Sequence, residues 1–308
     1  MKWRTEVIVK KMDIELDYSA PMMFAGSCFA TNMESRMSRL HFDVRPFSHG
    51  VIFHPSALAR AFQEIAGNKT YSAQNLFLSD SMFRSLAHHG SFSNRDSAVA
   101  IQNINHAISN AHLAIGALKL LVVTFGTSYG YRHLETNCIV ANCHKLPQST
   151  FVKELVDENA MLLEWKQTIA SLRMLNPNLR FVFTVSPVRH WKDGAVENSR
   201  SKARLISLCA ALVELEGVDY FPSYEIMMDD LRDYRFYESD MLHPNVQAID
   251  YIQEQFVEAA FSRDSKSKIL RIEKLVQLSE HRSIHELSET TEKRKAEALE
   301  GIRLIIEE

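Results

Sequence analysis

The stretch LKLLVVTFG at residues 118–126 constrains the fold more than any other part of the chain. It is a run of β-branched and apolar residues that stops at a glycine. Short runs of this kind, bounded by turn residues, mark strands covered on both faces. LRFVFTVSP at 179–187 is nearly as clear, and PMMFAG at 21–26 reads the same way. HFDVRPF at 41–47 is a weaker candidate, and VDYFPSYEI at 218–226 is edge-like and broken by Pro222.

Helical patterns lie between these runs. ATNMESRMSRL follows the first strand, HPSALARAFQEIAG fills 54–67 with Pro55 near its start, and a helix of several turns begins at Asp96. From Phe151, FVKELVDENAMLLEWKQTIASLRMLNP repeats apolar residues at three and four. SRSKARLISLCAALVELEG, from Ser199, does the same and ends at a glycine stop. NVQAIDYIQEQFVEAAF closes the body. Strand–helix alternation predicts an α/β fold with a mainly parallel sheet. The expected division is a body at 1–262 and a charged helical tail at 263–308. That tail folds back on the body, extends into solvent, or joins copies of the chain into a homo-oligomer.

Charge is balanced, with 35 basic and 38 acidic residues and a formal net charge of −3, so nucleic acid is not an expected partner. No stretch has the apolar length of a signal peptide or a membrane span, so no membrane partner is expected and the cytoplasm is the expected location. Cys28, Cys138, Cys143 and Cys209 form neither a CxxC pair nor a zinc framework, and reduced thiols are expected. His49, His54, His88, His89, His133 and His144 fall into no metal-binding pattern, and no phosphate-binding loop or GxGxxG appears. Neither a metal nor a cofactor is expected.

Ligands of open parallel sheets bind beyond the carboxyl ends of the strands. Ser27 lies one residue past Gly26; Gly126, Thr127 and Ser128 stand at a later strand end; Ser186, Arg189 and His190 follow another. Near the far end, SDMLHPN places Asp240 and His243 three apart. A serine hydroxyl needs a base to take its proton, and an imidazole does so when a carboxylate fixes it. Plainer readings compete: small residues after a strand are common turns, and Asp-x-x-His often caps a helix beside a surface histidine. Cys28, at a helix start, is a rival nucleophile. Oxyanion donors would come from the backbone at Ser27 or Cys28, from Gly50, from Thr127 or Ser128, or from Asn142 in VANCHK. Arg189 suits a two-pronged contact to a carboxylate or an internal ion pair, His144 follows Asn142 toward the same pocket or the surface, and Glu197 and Asn198 fit a pocket or a helix cap. Tyr129, Tyr131, Tyr234 and Tyr237 suit aromatic walls or half-buried structural positions. AHHGSFSNRD reads as a loop or a lid.

Taken together, MMFAGSCFATNM, PFSHGVIFHPSALARAF, LVVTFGTSYGYRH, VANCHKLP, FVFTVSPVRHWKDGAVENSRSKA and YFPSYEIMMDDLRDYRFYESDMLHPN resemble the GSCFA family, over about residues 4–256. That family in turn resembles the SGNH or GDSL-like hydrolases. The resemblance implies a three-layer α/β/α sandwich with Ser27 as the attacking serine, a glycine at Gly50, a Gly-x-Asn after the third strand, and Asp240 with His243 before the last helix. Gly126, Thr127 and Ser128 stand where Gly-x-Asn is expected, so the asparagine amide is missing. One good oxyanion donor contributes about 2.7–4 kcal/mol in a transition state. A hydroxyl of Thr127 or Ser128, or the amide of Asn142, would have to replace it. The implied activity is a serine esterase hydrolysing a small acyl ester, with O-acetyl on a carbohydrate as one case. An acyltransferase would use the same residues, and a non-catalytic ligand-binding module on this fold is the reading from a different class.

Overall fold

The computed structural model describes residues 4–280 and 289–308; the part of the expected tail at 281–288 lies outside the described residues. Its centre is a five-stranded parallel sheet built from β1 (Met22–Gly26), β2 (Val44–Arg45), β5 (Leu120–Phe125), β9 (Arg180–Val185) and β10 (Val218–Phe221), in the order β10-β9-β5-β1-β2. The three runs read as fully covered strands are β1, β5 and β9, at the middle of the sheet. The weaker run at 41–47 is the two-residue edge strand β2, and the run before Pro222 is the opposite edge, β10.

Side chains alternate across this sheet with the two-residue period of a strand. Met23, Ala25, Leu121, Val123, Phe125, Phe181, Phe183 and Val185 face one core, while Met22, Phe24, Leu120, Val122 and Val182 face the other. The first core is covered by α2 (Pro55–Ala66), α3 (Ser97–Ile115), α4 (Glu158–Leu175) and α5 (Gly194–Leu212). The second is covered by α1 (Cys28–Arg39), α7 (Val246–Ala260), α8 (Arg263–Glu280) and α9 (Glu289–Glu307). The result is a three-layer α/β/α architecture with C-terminal helices. Helix starts follow from local chemistry: Pro55 opens α2, and Asp96, Asp157 and Asn245 accept backbone N–H bonds as caps of α3, α4 and α7.

Two expectations change. FVKEL at 151–155 is not the first turn of a long helix but a strand, β8 (Phe151–Leu155). It pairs with β6 (Tyr129–His133), which also pairs with β7 (Cys138–Ile139), in a small antiparallel sheet. The Asp157 carboxylate, accepting from the N–H groups of Asn159 and Ala160, starts the helix two residues after that strand. The helix read from Ser199 begins five residues earlier, so Glu197 and Asn198 lie inside α5 rather than capping it. A further hairpin, β3 (Phe77–Ser79) with β4 (Met82–Arg84), precedes the AHHGSFSNRD segment. That segment is anchored: His88 is buried and stacks on His49 with ring centroids 4.3 Å apart.

The tail helices contribute to the core. Ile269, Ile272, Val276, Ile302 and Ile305 are buried with Met37 and Phe256. Arg36 bonds Asp250 and Glu273 across α1, α7 and α8, and Arg39 pairs with Glu280. The short α6 (Ser223–Glu225) follows β10 and runs into a π-helical turn at Ile226–Asp230.

Candidate active site

Along the sheet the chain leaves β1 toward β2 on one side, and later strands add on the other side of β1. The order reverses between β1 and β5, and a crevice opens at the carboxyl ends of such a pair. Ser27 sits there. Gly26 turns the strand into the helix with φ +127°, and the Ser27 N–H donates to Thr124 O at 3.2 Å. Ser27 is 1% exposed, and its hydroxyl has no hydrogen-bond partner although it directly precedes α1. Because the Ser27 N–H is occupied, the first amide that helix α1 leaves available is that of Cys28. Burial pushes the Cys28 thiol up from its ordinary value, against opposing bonds from the Phe29 and Cys28 amides and the charge of Lys202. A raised thiol is the opposite of an activated one.

At the end of β5, Gly126 and Thr127 donate their N–H groups to Phe53 O. The Ser128 hydroxyl is fully buried and donates to Ser201 O, and Thr127 Oγ1 bonds Ser201 Oγ while accepting from the Tyr129 N–H. Both hydroxyls therefore tie the strand end to α5. Asn142 lines a cavity of about 460 Å³ at this end of the sheet, with Phe53, Thr127, Tyr129, Tyr131 and His190. Its side-chain oxygen accepts the His144 N–H, which leaves the amide nitrogen for a ligand. His144 is not on that wall: it is buried and its Nε2 bonds Ser85 O. Gly50, φ +73°, packs against His89, whose N–H bonds His49 O. Tyr234 and Tyr237 lie away from this cavity, on the segment before the Asp240 loop.

Asp240 and His243 form a tight unit. The Asp240 carboxylate accepts from His243 Nδ1 at 2.6 Å and from the N–H groups of Leu242 and His243 at 2.9 and 3.0 Å. The backbone bonds from His243 and Leu242 and then the imidazole hold its carboxyl down at about 2. The pair is about half exposed. The Arg189 N–H donates to Leu242 O at 3.3 Å, so the loop after β9 is laced to this turn. Arg189 lays its guanidinium over Trp191 at 4.9 Å while its Nε is buried without a partner.

Two neighbours on the same rim were weakly or not at all visible in the sequence. His190 lies against Gly126, its N–H bonds Asn198 Oδ1, and its Nε2 is buried without a partner. Burial first, then Lys202 and His243, press its pKa down to about 4. Lys202 is 1% exposed and donates to Gly126 O at 2.8 Å and to Ser186 O at 2.7 Å. It was hidden by its type, although Asn198, Ser201, Leu205, Leu208 and Leu212 mark the same buried stripe of α5 at helical spacing. Among the described residues no group of three or more His, Cys, Asp or Glu side chains is placed to hold a metal.

These features define a three-layer α/β protein with a polar crevice at the switch point of its parallel sheet. The chain belongs to the GSCFA family, whose match spans residues 21–256. No curated protein matches it. Among solved structures it is similar to one described as a suggested platelet activating factor from Streptococcus pneumonia, at 11% identity, covering 79% of this chain and 84% of that one with a TM-score of 0.41. It is also similar to a carbohydrate esterase family 3 structure from Talaromyces cellulolyticus, at 8% identity, covering 84% of this chain and 98% of that one with a TM-score of 0.38. Likenesses at that level carry no argument about activity.

Proposed function

We propose that this protein is a serine esterase of the SGNH-like kind, hydrolysing a small acyl ester. The observation that carries the reading is the Ser27 hydroxyl, buried and unpartnered at a strand-to-helix turn, in a fold whose Asp240 already grips His243 Nδ1. A carboxylate on Nδ1 leaves Nε2 as the acceptor, which is the tautomer a general base requires. In the proposed reaction His243 Nε2 takes the Ser27 proton as Oγ attacks the acyl carbon. The amides of Cys28 and Gly50 and the side-chain nitrogen of Asn142 receive the oxyanion. His243 then protonates the leaving alcohol, and water releases the acyl group by the same route. Attack requires the rim over Ser27 to part, because the hydroxyl is covered at rest.

The cavity wall of Phe53, Tyr129 and Tyr131 with Asn142 suits the apolar faces and hydroxyls of a sugar, which supports a carbohydrate ester as substrate. No described helix is long and apolar enough to cross a membrane. The four cysteines are free thiols, which fits a reducing cytoplasm. The covered hydroxyl favours one rival, a ligand-binding module that no longer turns over. A fluorophosphonate probe separates the two. Labelling of the folded wild type on the Ser27 peptide, abolished in S27A, supports the esterase. A folded protein that resists the probe and cleaves no short-chain ester supports the module.

A further inference from the structure

Lys202 is a buried cation among main-chain oxygens. It makes no ion pair among the described residues, and two of its three N–H groups go to the carbonyls of Gly126 and Ser186. Those carbonyls close the ends of β5 and β9, the strands that carry the cavity wall and the Arg189–His190 loop. The titratable and charged groups around it are the Cys28 thiol from α1 and Arg189 and His190 from the loop after β9, and its ammonium lies 5.5 Å from the centre of the Tyr224 ring of α6. All three segments follow strands of the sheet at its carboxyl edge. A lysine stripped of water is expensive to keep, and mere strand-tying is achieved elsewhere in this protein by neutral groups: Asn176 bonds the carbonyls of Ile115 and Leu118 with one amide.

We propose that Lys202 is a positioning residue for the nucleophile turn: it fixes the ends of β5 and β9 and sets a positive charge whose field reaches Cys28, the residue after Ser27, and favours negative charge developing there. This rests on the reading of Ser27 as the attacking group. The charge acts through two routes. It holds the Gly126 and Ser186 carbonyl oxygens away from the crevice, where they would repel an oxyanion. Its field also reaches the first turn of α1, whose own N-terminus already favours an anion. Burial, opposed by Cys28 and reinforced by Arg189, lowers the Lys202 pKa to about 7, so this charge is present below neutral pH and fades above it.

The test has an arm that needs no turnover. Alkylation of Cys28 by iodoacetamide, followed against pH by mass spectrometry of its peptide, reports the charge at the turn. Lys202 is mostly neutral where a raised thiol titrates, so K202R, charged at every pH, should lower the alkylation midpoint by half a pH unit or more, and K202M should leave it near wild type. On a short-chain ester, K202M should lower kcat/KM at least tenfold at pH 6, and K202R should recover activity and move the wild-type alkaline limb beyond pH 9. An unchanged Cys28 midpoint in folded K202R overturns the proposal. So does equal loss of activity in K202M and K202R with the alkaline limb in place, which would make the tie purely structural. If K202M does not fold, a wild-type profile without an alkaline limb, or one that K202R leaves unmoved, overturns it as well. A wild type inactive on every ester removes the reading of Ser27 alone; the Cys28 midpoint still decides the charge.

Discussion

Replacing Gly26 by alanine tests the turn on which the site is built. At Gly26 the backbone has φ +127°, which L side chains rarely adopt, at a strain of about 1–3 kcal/mol. A Cβ there would meet the Thr124 carbonyl carbon and nitrogen at 2.9 Å each and the carbonyl oxygen closer still. These are backbone atoms of the central strand β5, which has no room to retreat, and relieving such overpacking costs about 1–3 kcal/mol. Moving β1 away would also break the Ser27 N–H bond to Thr124 O, worth about 1 kcal/mol. G26A should therefore lose about 3–7 kcal/mol in urea unfolding, through a lower midpoint at unchanged slope. Gly90 is the control: a Cβ there meets nothing within 4 Å, and G90A should stay within about 0.5 kcal/mol of wild type. A G26A protein within about 1 kcal/mol of wild type would refute the close approach of β1 to β5, and with it the placement of Ser27.

Other outcomes follow from the same geometry. D240N should cut kcat/KM on a short-chain ester about 10³- to 10⁴-fold while leaving Ser27 in place, because an amide no longer selects the Nδ1–H tautomer; a loss under tenfold argues against the Asp240–His243 unit as the base. Stability should fall with acid. Burial depresses His54 and His190 to about 4 and His88 to about 2, so in each case the unfolded chain, titrating near 6.5, binds the extra proton. Their contribution is full above about pH 6.5 and is lost below it, on the order of 5 kcal/mol in all between pH 7 and 5; urea midpoints flat across that range would contradict neutral buried imidazoles. I272A, in a tail helix yet fully buried, should destabilise by about 2–5 kcal/mol, whereas a solvated extension would register less than about 0.5 kcal/mol.

The sequence carries most of this fold where burial is two-sided. In β1, β5 and β9 nearly every position is apolar, so no register slip or half-polar face confuses the pattern. β8 is ambiguous in the sequence because Phe151 and Leu155 stand four apart, which suits one helical turn as well as a half-exposed strand. The signal that separates the two is Asp157, a capping residue placed where a helix begins and not where one continues. Ser27 stands out as a residue type beyond a strand end, and Asp240 with His243 as a pair three apart in a C-terminal loop. Lys202 and the engagement of Ser128 with Ser201 do not, since both depend on how α5 docks against β5, a contact between residues more than 70 positions apart.

Two groups of buried polar side chains differ in how fully their hydrogen bonds are met. Around Glu64 the carboxylate oxygens accept from His49, Lys69 and Tyr71, and Ser48 bonds the other nitrogen of His49. That cluster is close to saturated, and it fastens the 69–92 segment to α2. Along the carboxyl edge of the sheet the reverse holds: Ser27 Oγ, Thr124 Oγ1, Arg189 Nε, His190 Nε2 and Asn198 Nδ2 are all buried without a protein partner. Each such group forgoes about 1–3 kcal/mol. Other buried polar atoms without a protein partner lie elsewhere, His88 Nε2 beside His49 and Arg36 Nε among them, but these five share the ends of β1, β5 and β9 and the elements that follow them. On the proposed reading, these open groups are the ones whose bonding a bound ligand would complete.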